Sequence, residues 1–490
     1  MIHEDVLRHL WAGQYLDAQK LVTQDGRSLV VISPGSLNRG SGPDFHDGVI
    51  ALDGQIFRGD IEFHRWEADW IAHAHNADEK YNGVILHVVF RSRSGDAPAT
   101  SASGRIIPTL VIENILSSPL EKILEHTIRD EHSSRTSPLR CFHRNEQIVS
   151  TVLEEWIRRL SVERLKGKAT VMLSRLLEIE DEQSRIFGEA GDLSPSRGEG
   201  LRGDGLWQQL LYEGIMDGLG YSQNRMPFVM LAQKVSVQVV KKLSASRQLS
   251  IPEIEALLFR VSGLLPDVHT VTDQSSKIHL HELKILWDQL SENFMREGIT
   301  IIDHMSATEW IFSPTRPANF PTVRIAAASQ FLPKIVYRNI FATLIAIAND
   351  AAFSARTKLE NMLSVLNVEE DAYWSFHYSF AESSPRPHAL LGLRRLYDIM
   401  INTILPLCSL YAAVFEMKEL HERAIDIATE IPLLDENGIT RKVESQLLEG
   451  KIAVHSALQQ QGILELYERY CTQNRCRDCA VGRILFDNER

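Results

Sequence analysis

The sequence predicts an α+β protein, with an N-terminal domain of mixed helix and strand over residues 1–112 and a large all-helical region over 113–490. Three observations predict it. Short β-branched runs alternate with amphipathic stretches in the first 112 residues, in the order α-β-β-β-α-β with one further strand. Asp53-Gly54 joins two of those runs, a strong hairpin signal. Beyond 113 the strand signals stop and apolar residues recur at helical spacing.

Each element follows from local pattern. Val6, Leu7, Leu10, Trp11 and Leu16 give residues 3–19 a helical stripe. The β-branched run 28–33 ends at Pro34-Gly35, and 49–52 and 56–64 are the arms of the hairpin. Residues 68–76 read as a helix. The run 84–90 is nearly all apolar, as in a strand buried on both faces. A small-residue loop at 98–104 leads into a last strand, 105–112. Val152, Trp156, Leu160 and Val162 then mark a long amphipathic helix, with Glu154 and Glu155 four residues before Arg158 and Arg159 on a solvated face. Residues 188–205, rich in Gly, Ser, Pro and charge, form a linker or long loop. Residues 207–218, 278–290, 337–352, 394–415 and 419–431 continue the helices, without a fixed-period repeat.

The chain has 490 residues, enough for about two to four domains. With 44% apolar and 24% charged residues, global disorder and fibrous structure are excluded. The most apolar stretch, 396–415, contains Asp398, Asn402 and Pro406 and reads as a buried helix rather than a membrane span. The first residues, Met1-Ile2-His3-Glu4-Asp5, lack a signal-peptide core, and five cysteines are no disulfide framework. A cytoplasmic protein is therefore expected. The net charge of −12 argues against coating nucleic acid by bulk charge, but not against a local basic groove.

Three stretches of the first domain carry chemistry. They are Ser41-Gly42-Pro43-Asp44-Phe45, Gly59-Asp60-Ile61-Glu62-Phe63-His64, and Asp69-Trp70-Ile71-Ala72-His73-Ala74-His75 with Asp78, Tyr81 and His87 beyond. Side chains alternate faces along a strand, so Asp60, Glu62 and His64 share one face and Ile61 and Phe63 pack on the core. Asp44, after a Gly-Pro turn, can lie beside Glu62 on the next strand. Two carboxylates so placed suit Mg²⁺ or Mn²⁺, and His64 could deprotonate a bound water. The plain alternative is that Asp44 caps its turn and the carboxylates are exposed hairpin residues. His73 and His75, two apart on a helix, would point to different sides. With Asp60 they are candidates for supporting or substrate-phosphate roles; otherwise they are surface groups. His87 reads either as another such group or as a satisfied core histidine.

Pro43-Asp44 and Glu62-Phe63-His64, 18 residues apart on this strand order, resemble the PD-(D/E)XK nuclease superfamily. The resemblance covers roughly residues 3–91. It implies a restriction-endonuclease-like fold and metal-dependent phosphodiester cleavage by Asp44, Glu62 and His64. His64 stands where that superfamily usually has Lys. Nearly the whole chain also resembles a bacterial family, domain of unknown function 2851. The shared patterns are Gly42–Phe45, Glu62–His64, Trp70–His75, Leu86–Val89, Arg316-Pro317-Ala318-Asn319-Phe320-Pro321 and the C-terminal cysteines.

Cys471, Cys476 and Cys479 have a spacing that can reach one metal ion, and Cys141 is the natural fourth ligand. Such a set would hold zinc or an iron–sulfur cluster. Some nucleases of the resembling superfamily carry a [4Fe–4S] cluster in this layout. The alternative is free thiols. Cys408, in an apolar helix, reads as core. Pro321 and Arg324 suggest either a phosphate contact at a helix start or a rigid loop packed by Phe320. Two functions follow as expectations. One is a metal-dependent nuclease acting on DNA or RNA. The other is a non-catalytic binding or scaffold protein with a degenerate nuclease fold and a structural metal.

Overall fold

The structure is a computed structural model that describes residues 4–12, 16–17, 20–38, 42–93, 95, 97–116, 139–189, 201, 203–296, 303–312, 316–448 and 450–486. Most of the Gly/Ser-rich stretch 188–205 lies outside the described residues. The architecture is α+β, with a mixed sheet in the N-terminal part and helices through most of the rest.

Helix α1 (Glu4–Ala12) precedes strands β1 (Leu29–Ser33), β2 (Ser36–Leu37), β3 (Phe45–Leu52) and β4 (Gln55–Trp66). Helix α2 (Asp69–Ala72), β5 (Val84–Arg91) and β6 (Thr109–Val111) follow. The sheet order is β1-β3-β4-β5-β6, with β2 paired to β3. β1, β3 and β4 are antiparallel neighbours; β5 runs parallel to β4, and β6 to β5. Asp53 and Gly54 both take positive φ, 48° and 83°, as a type I′ hairpin requires. α1 is shorter than its apolar stripe because Leu16 pairs as an isolated bridge with Leu116. β3 begins earlier than its alternation shows. A register shift between Phe45 and Gly48, with Asp47 at φ 59°, breaks the period of two.

Both faces of the sheet are covered. Ile61, Phe63, Leu86 and Val88 pack on one side with Leu7, Leu10 and Trp11. On the other, Trp70, Tyr81, Val84, Ala99 and Ile107 form a smaller cluster. Gly59 permits the close crossing before β5, since a Cβ there would stand 2.5 Å from the Gly83 carbonyl oxygen.

The chain divides into two compact units. One comprises Met1–Trp156, Lys442–Ile452 and Glu465–Arg490; the other, Ile157–Arg441 and Ala453–Leu464. The first therefore runs past residue 112, where composition changes, and takes in the C-terminal cysteines. Long-range hydrogen bonds explain this. Leu139 N–H donates to Gln446 Oε1 at 2.7 Å, Lys451 Nζ to Asn145 Oδ1 at 2.9 Å, and an Arg144 guanidinium N–H to the Leu485 carbonyl at 3.0 Å. Such pairings leave no local pattern in the sequence.

In the helical unit, the stretch read as one helix over 337–352 is broken at Asn339, whose φ of 44° ends Pro321–Arg338 and caps Ile340–Asn349. Leu393–Val414 is long and apolar enough to cross a membrane, and 67% of its most apolar window is buried within the protein. Cys408 is in the core there. The guanidinium of Arg175 forks onto Glu213 at 2.7 and 3.0 Å, both side chains being buried.

Helix Ile251–Ser262 starts on a capping box, in which Glu253 accepts from Ser250 N–H at 2.8 Å. The Arg247 guanidinium beside Glu253 holds its carboxyl down to about 2 from an ordinary 4.5, against the opposing effect of burial. A carboxyl depressed in the folded state stabilises fully above its unfolded value, and that contribution is lost as pH falls from about 4.5 toward about 2. Glu253→Gln should therefore lower the melting temperature near neutrality and flatten its decline over that window. A decline as steep as wild type would show that the Arg247–Glu253 pair is energetically silent.

Candidate functional site

β4 builds the site by alternation. Ile61 and Phe63 turn into the core, Phe63 against Trp11 and Phe45 at ring distances of 5.7 and 5.5 Å. Glu62 and His64 turn to the opposite face and are 6% and 1% exposed. Asp44, ahead of β3, is tied to Glu62 in both directions. Asp44 N–H donates to Glu62 Oε2 at 2.8 Å, and Phe63 N–H donates to Asp44 Oδ2 at 3.2 Å. Arg8 from α1 pairs with Asp44 Oδ1 at 3.1 Å. Burial and then the charge of Glu62 push the Asp44 carboxyl up to about 7, with Arg8 pulling the other way. Two neighbouring carboxylates, one of which retains its proton near neutrality, are a known device for proton handling.

Glu62 Oε1 faces imidazoles. It lies 3.4 Å from His75 Nε2 and 3.8 Å from His64 Nε2. His64 Nε2 in turn lies 3.1 Å from His73 Nδ1, and His64 Nδ1 lies 2.9 Å from His87 Nε2. One ligand nitrogen each from His64, His73 and His75 falls within a 4.8 Å set. The expectation that His73 and His75 point apart is corrected here, because residues 68–76 are not one helix. α2 stops at Ala72, and Ala74 takes the left-handed conformation at φ 60°, which swings His75 back beside His73. Trp70, fully buried, backs the cluster, with ring distances of 5.4 Å to His75 and 5.0 Å to His87. His75 stacks on Tyr81 at 3.7 Å.

Burial, reinforced by neighbouring imidazoles, pushes His64 down to about 2 and His87 down to about 3, so both stay neutral with a lone pair available at physiological pH. Two other acids are occupied elsewhere. Asp60 Oδ1 pairs with His46 Nδ1 at 2.9 Å, and the Asp78 side chain accepts from Lys80 N–H at 3.0 Å. Sequence reasoning gave no role to Arg8 or His46. Each is lodged against an acid by strand and helix packing that no spacing rule encodes.

The four cysteines singled out by spacing lie in the first unit. Burial, with smaller contributions from the charges of Cys479 and Cys476, pushes the Cys141 thiol up to about 11. Cys471 is raised by burial and then by Cys141, Cys479 and Cys476. The four thiols are thus within electrostatic reach of one another. In the helical unit, Arg324 is engaged internally. Its Nη2 donates to Tyr221 Oη at 2.8 Å and to Asn319 Oδ1 at 2.7 Å, its Nη1 donates to the Leu390 carbonyl, and Phe320 packs edge-on to Phe312. These contacts favour the rigid-loop reading of that motif.

The family model described as protein of unknown function, DUF2851, matches residues 4–189 and 201–437. The chain belongs to that family. The DUF2851 match takes in Asp44, Glu62, every histidine of the cluster and Cys141, and ends before Cys471. No curated protein and no solved structure matches the chain.

The turn at Ala74 is testable apart from any activity. A left-handed alanine costs about 1 kcal/mol that glycine does not incur. Ala74→Gly should raise the melting temperature, and Ala74→Val should lower it. If both variants melt as wild type, residue 74 does not hold the left-handed turn.

Proposed function

We propose that this protein is a metal-dependent nuclease that hydrolyses phosphodiester bonds in DNA or RNA on a PD-(D/E)XK-like frame. The observation that carries the reading is the two-way tie between Asp44, just ahead of β3, and Glu62 on the adjacent antiparallel strand β4. Nucleic acid would be engaged through local groups such as Arg8, since the net charge of −12 is repulsive.

The donors do not fit a Mg²⁺ ion held between Asp44 and Glu62. Asp44 Oδ1 is paired with Arg8 and Oδ2 receives the Phe63 N–H, leaving Glu62 Oε1 among imidazole nitrogens. The set fits a softer dication such as Zn²⁺ better. A bound dication supplies Lewis acidity toward a phosphoryl oxygen or a water. The chain's own residues supply the rest. Asp44, titrating near neutrality, holds or releases a proton beside the substrate. Arg8 offers positive charge to the phosphodiester. Burial and the neighbouring imidazoles hold His64 well below the ordinary imidazole range, which weakens it as a base and favours a holding role over the general-base role expected from sequence.

The test is cleavage of single- and double-stranded DNA and RNA with Mg²⁺, Mn²⁺ or Zn²⁺. Wild type should cleave at least one, and Glu62→Ala or Asp44→Ala should lose about 100-fold or more. No cleavage by wild type, or cleavage undiminished in Glu62→Ala, would overturn the reading.

We further propose that Cys141, Cys471, Cys476 and Cys479 hold zinc or a [4Fe–4S] cluster with a structural role, fastening the C-terminal segment to the first unit. Protein purified without oxygen should carry either zinc or iron with sulfide. A brown colour with broad visible absorbance selects the cluster, and Cys141→Ser should lower content and melting temperature together.

A further inference from the structure

We infer that His64, His73, His75 and Glu62 form a binding site for a first-row transition-metal dication of the zinc class, rather than for Mg²⁺. This inference does not depend on the nuclease reading, because it concerns what the four side chains bind.

Geometry is the first support. Donors about 2.0–2.2 Å from a common centre, at tetrahedral angles, stand about 3.3–3.6 Å apart. Three of the six donor separations lie near that range: 3.1 Å for His64 Nε2 to His73 Nδ1, 3.4 Å for His75 Nε2 to Glu62 Oε1, and 3.8 Å for His64 Nε2 to Glu62 Oε1. The three imidazoles form a mutual 4.8 Å set, and Glu62 stands beside it, nearest His75. Three imidazole nitrogens and one carboxylate oxygen are a donor set for zinc-class ions. Mg²⁺ demands mostly oxygen ligands in octahedral geometry.

Orientation is the second support. Ligating histidines usually donate their other ring N–H to a fixed acceptor. His64, to offer Nε2, must carry its proton on Nδ1, and His87 Nε2 lies there at 2.9 Å as the acceptor. His87 is fully buried, and its Nδ1 has no hydrogen-bond partner among the described residues. A buried imidazole with one nitrogen unsatisfied is costly, and its single polar contact is the one that would set the tautomer of His64. Glu62 is held by its other oxygen through the Asp44 N–H, which aims Oε1 at the imidazoles. His75 is fixed by its stack on Tyr81, at 3.7 Å and 24° between ring planes. His73 is the exposed member, on the side from which an ion could enter.

The competing arrangement is a closed chain of imidazole hydrogen bonds, His87 to His64 to His73, with no ion. Metal titration of the full chain separates the two. Chelator-stripped protein is titrated with Zn²⁺ and, in parallel, with Co²⁺ as a visible probe, in a large excess of Mg²⁺. The cysteine cluster can take metal as well, so the informative quantity is the difference between wild type and His73→Ala. The exposed position of His73 makes that variant safe for folding, and circular dichroism with melting checks it. His75→Ala is the second variant. Wild type should bind one more equivalent of Zn²⁺ than either variant, or bind that equivalent more than about 100-fold tighter. The difference in Co²⁺ spectra should show d–d bands without sulfur charge transfer. Equal stoichiometry and affinity in all three proteins, or loss of the extra equivalent to Mg²⁺, would overturn the site. Zinc binding without cleavage of any nucleic acid would sink the nuclease reading and leave this site standing. Cleavage with Mg²⁺ and no zinc difference would do the reverse.

Discussion

Everything at the site depends on how Glu62 is held. Its Oε2 receives the Asp44 amide, while the Asp44 carboxylate receives the Phe63 amide next to Glu62. Each residue thus fixes the other through the backbone of the opposite strand. A buried carboxylate satisfied by a backbone N–H loses its freedom to swing, and its second oxygen then has one place to point. That place is occupied by His75 and His64. Were the register between β3 and β4 to slip by one residue, Glu62 would move to the core face and Phe63 would take its position.

The second constraint is that the sheet is covered on both sides. One face buries the aliphatic and aromatic core with α1. The other buries a polar row, which a small aromatic cluster around Trp70 shields from water. Polar groups in such a place must be paired or must bind something. Most of them are paired, including Glu62, His64, Asp60 with His46, and Glu67 with Gln24 and Ser92. His87 Nδ1 is an exception among the described residues. A fold that leaves one imidazole nitrogen buried and unsatisfied beside three other histidines is organised for something besides stability.

Much of the frame was legible because its causes are local. Alternation predicted which side of β4 carries Glu62 and His64, the Asp-Gly pair predicted the hairpin, and the apolar run predicted that β5 is covered on both faces. What escaped has non-local or single-residue causes. Ala74 is an ordinary helix former that here adopts φ 60°, so a helical reading of 68–76 separated two histidines that the fold brings together. Arg8 reaches Asp44 only because α1 packs on the sheet. The return of residues 442–452 and 465–490 to the first unit rests on side chains such as Gln446 and Lys451 bonding segments some 300 positions away.

The most direct measurement is anomalous diffraction at the zinc edge from crystals of the full chain grown with Zn²⁺. The account predicts a peak bounded by His64 Nε2, His73 Nδ1, His75 Nε2 and Glu62 Oε1, at about 2.0–2.2 Å from each. A map without a peak there, with His73 turned to solvent or the imidazoles linked only by hydrogen bonds, would contradict it.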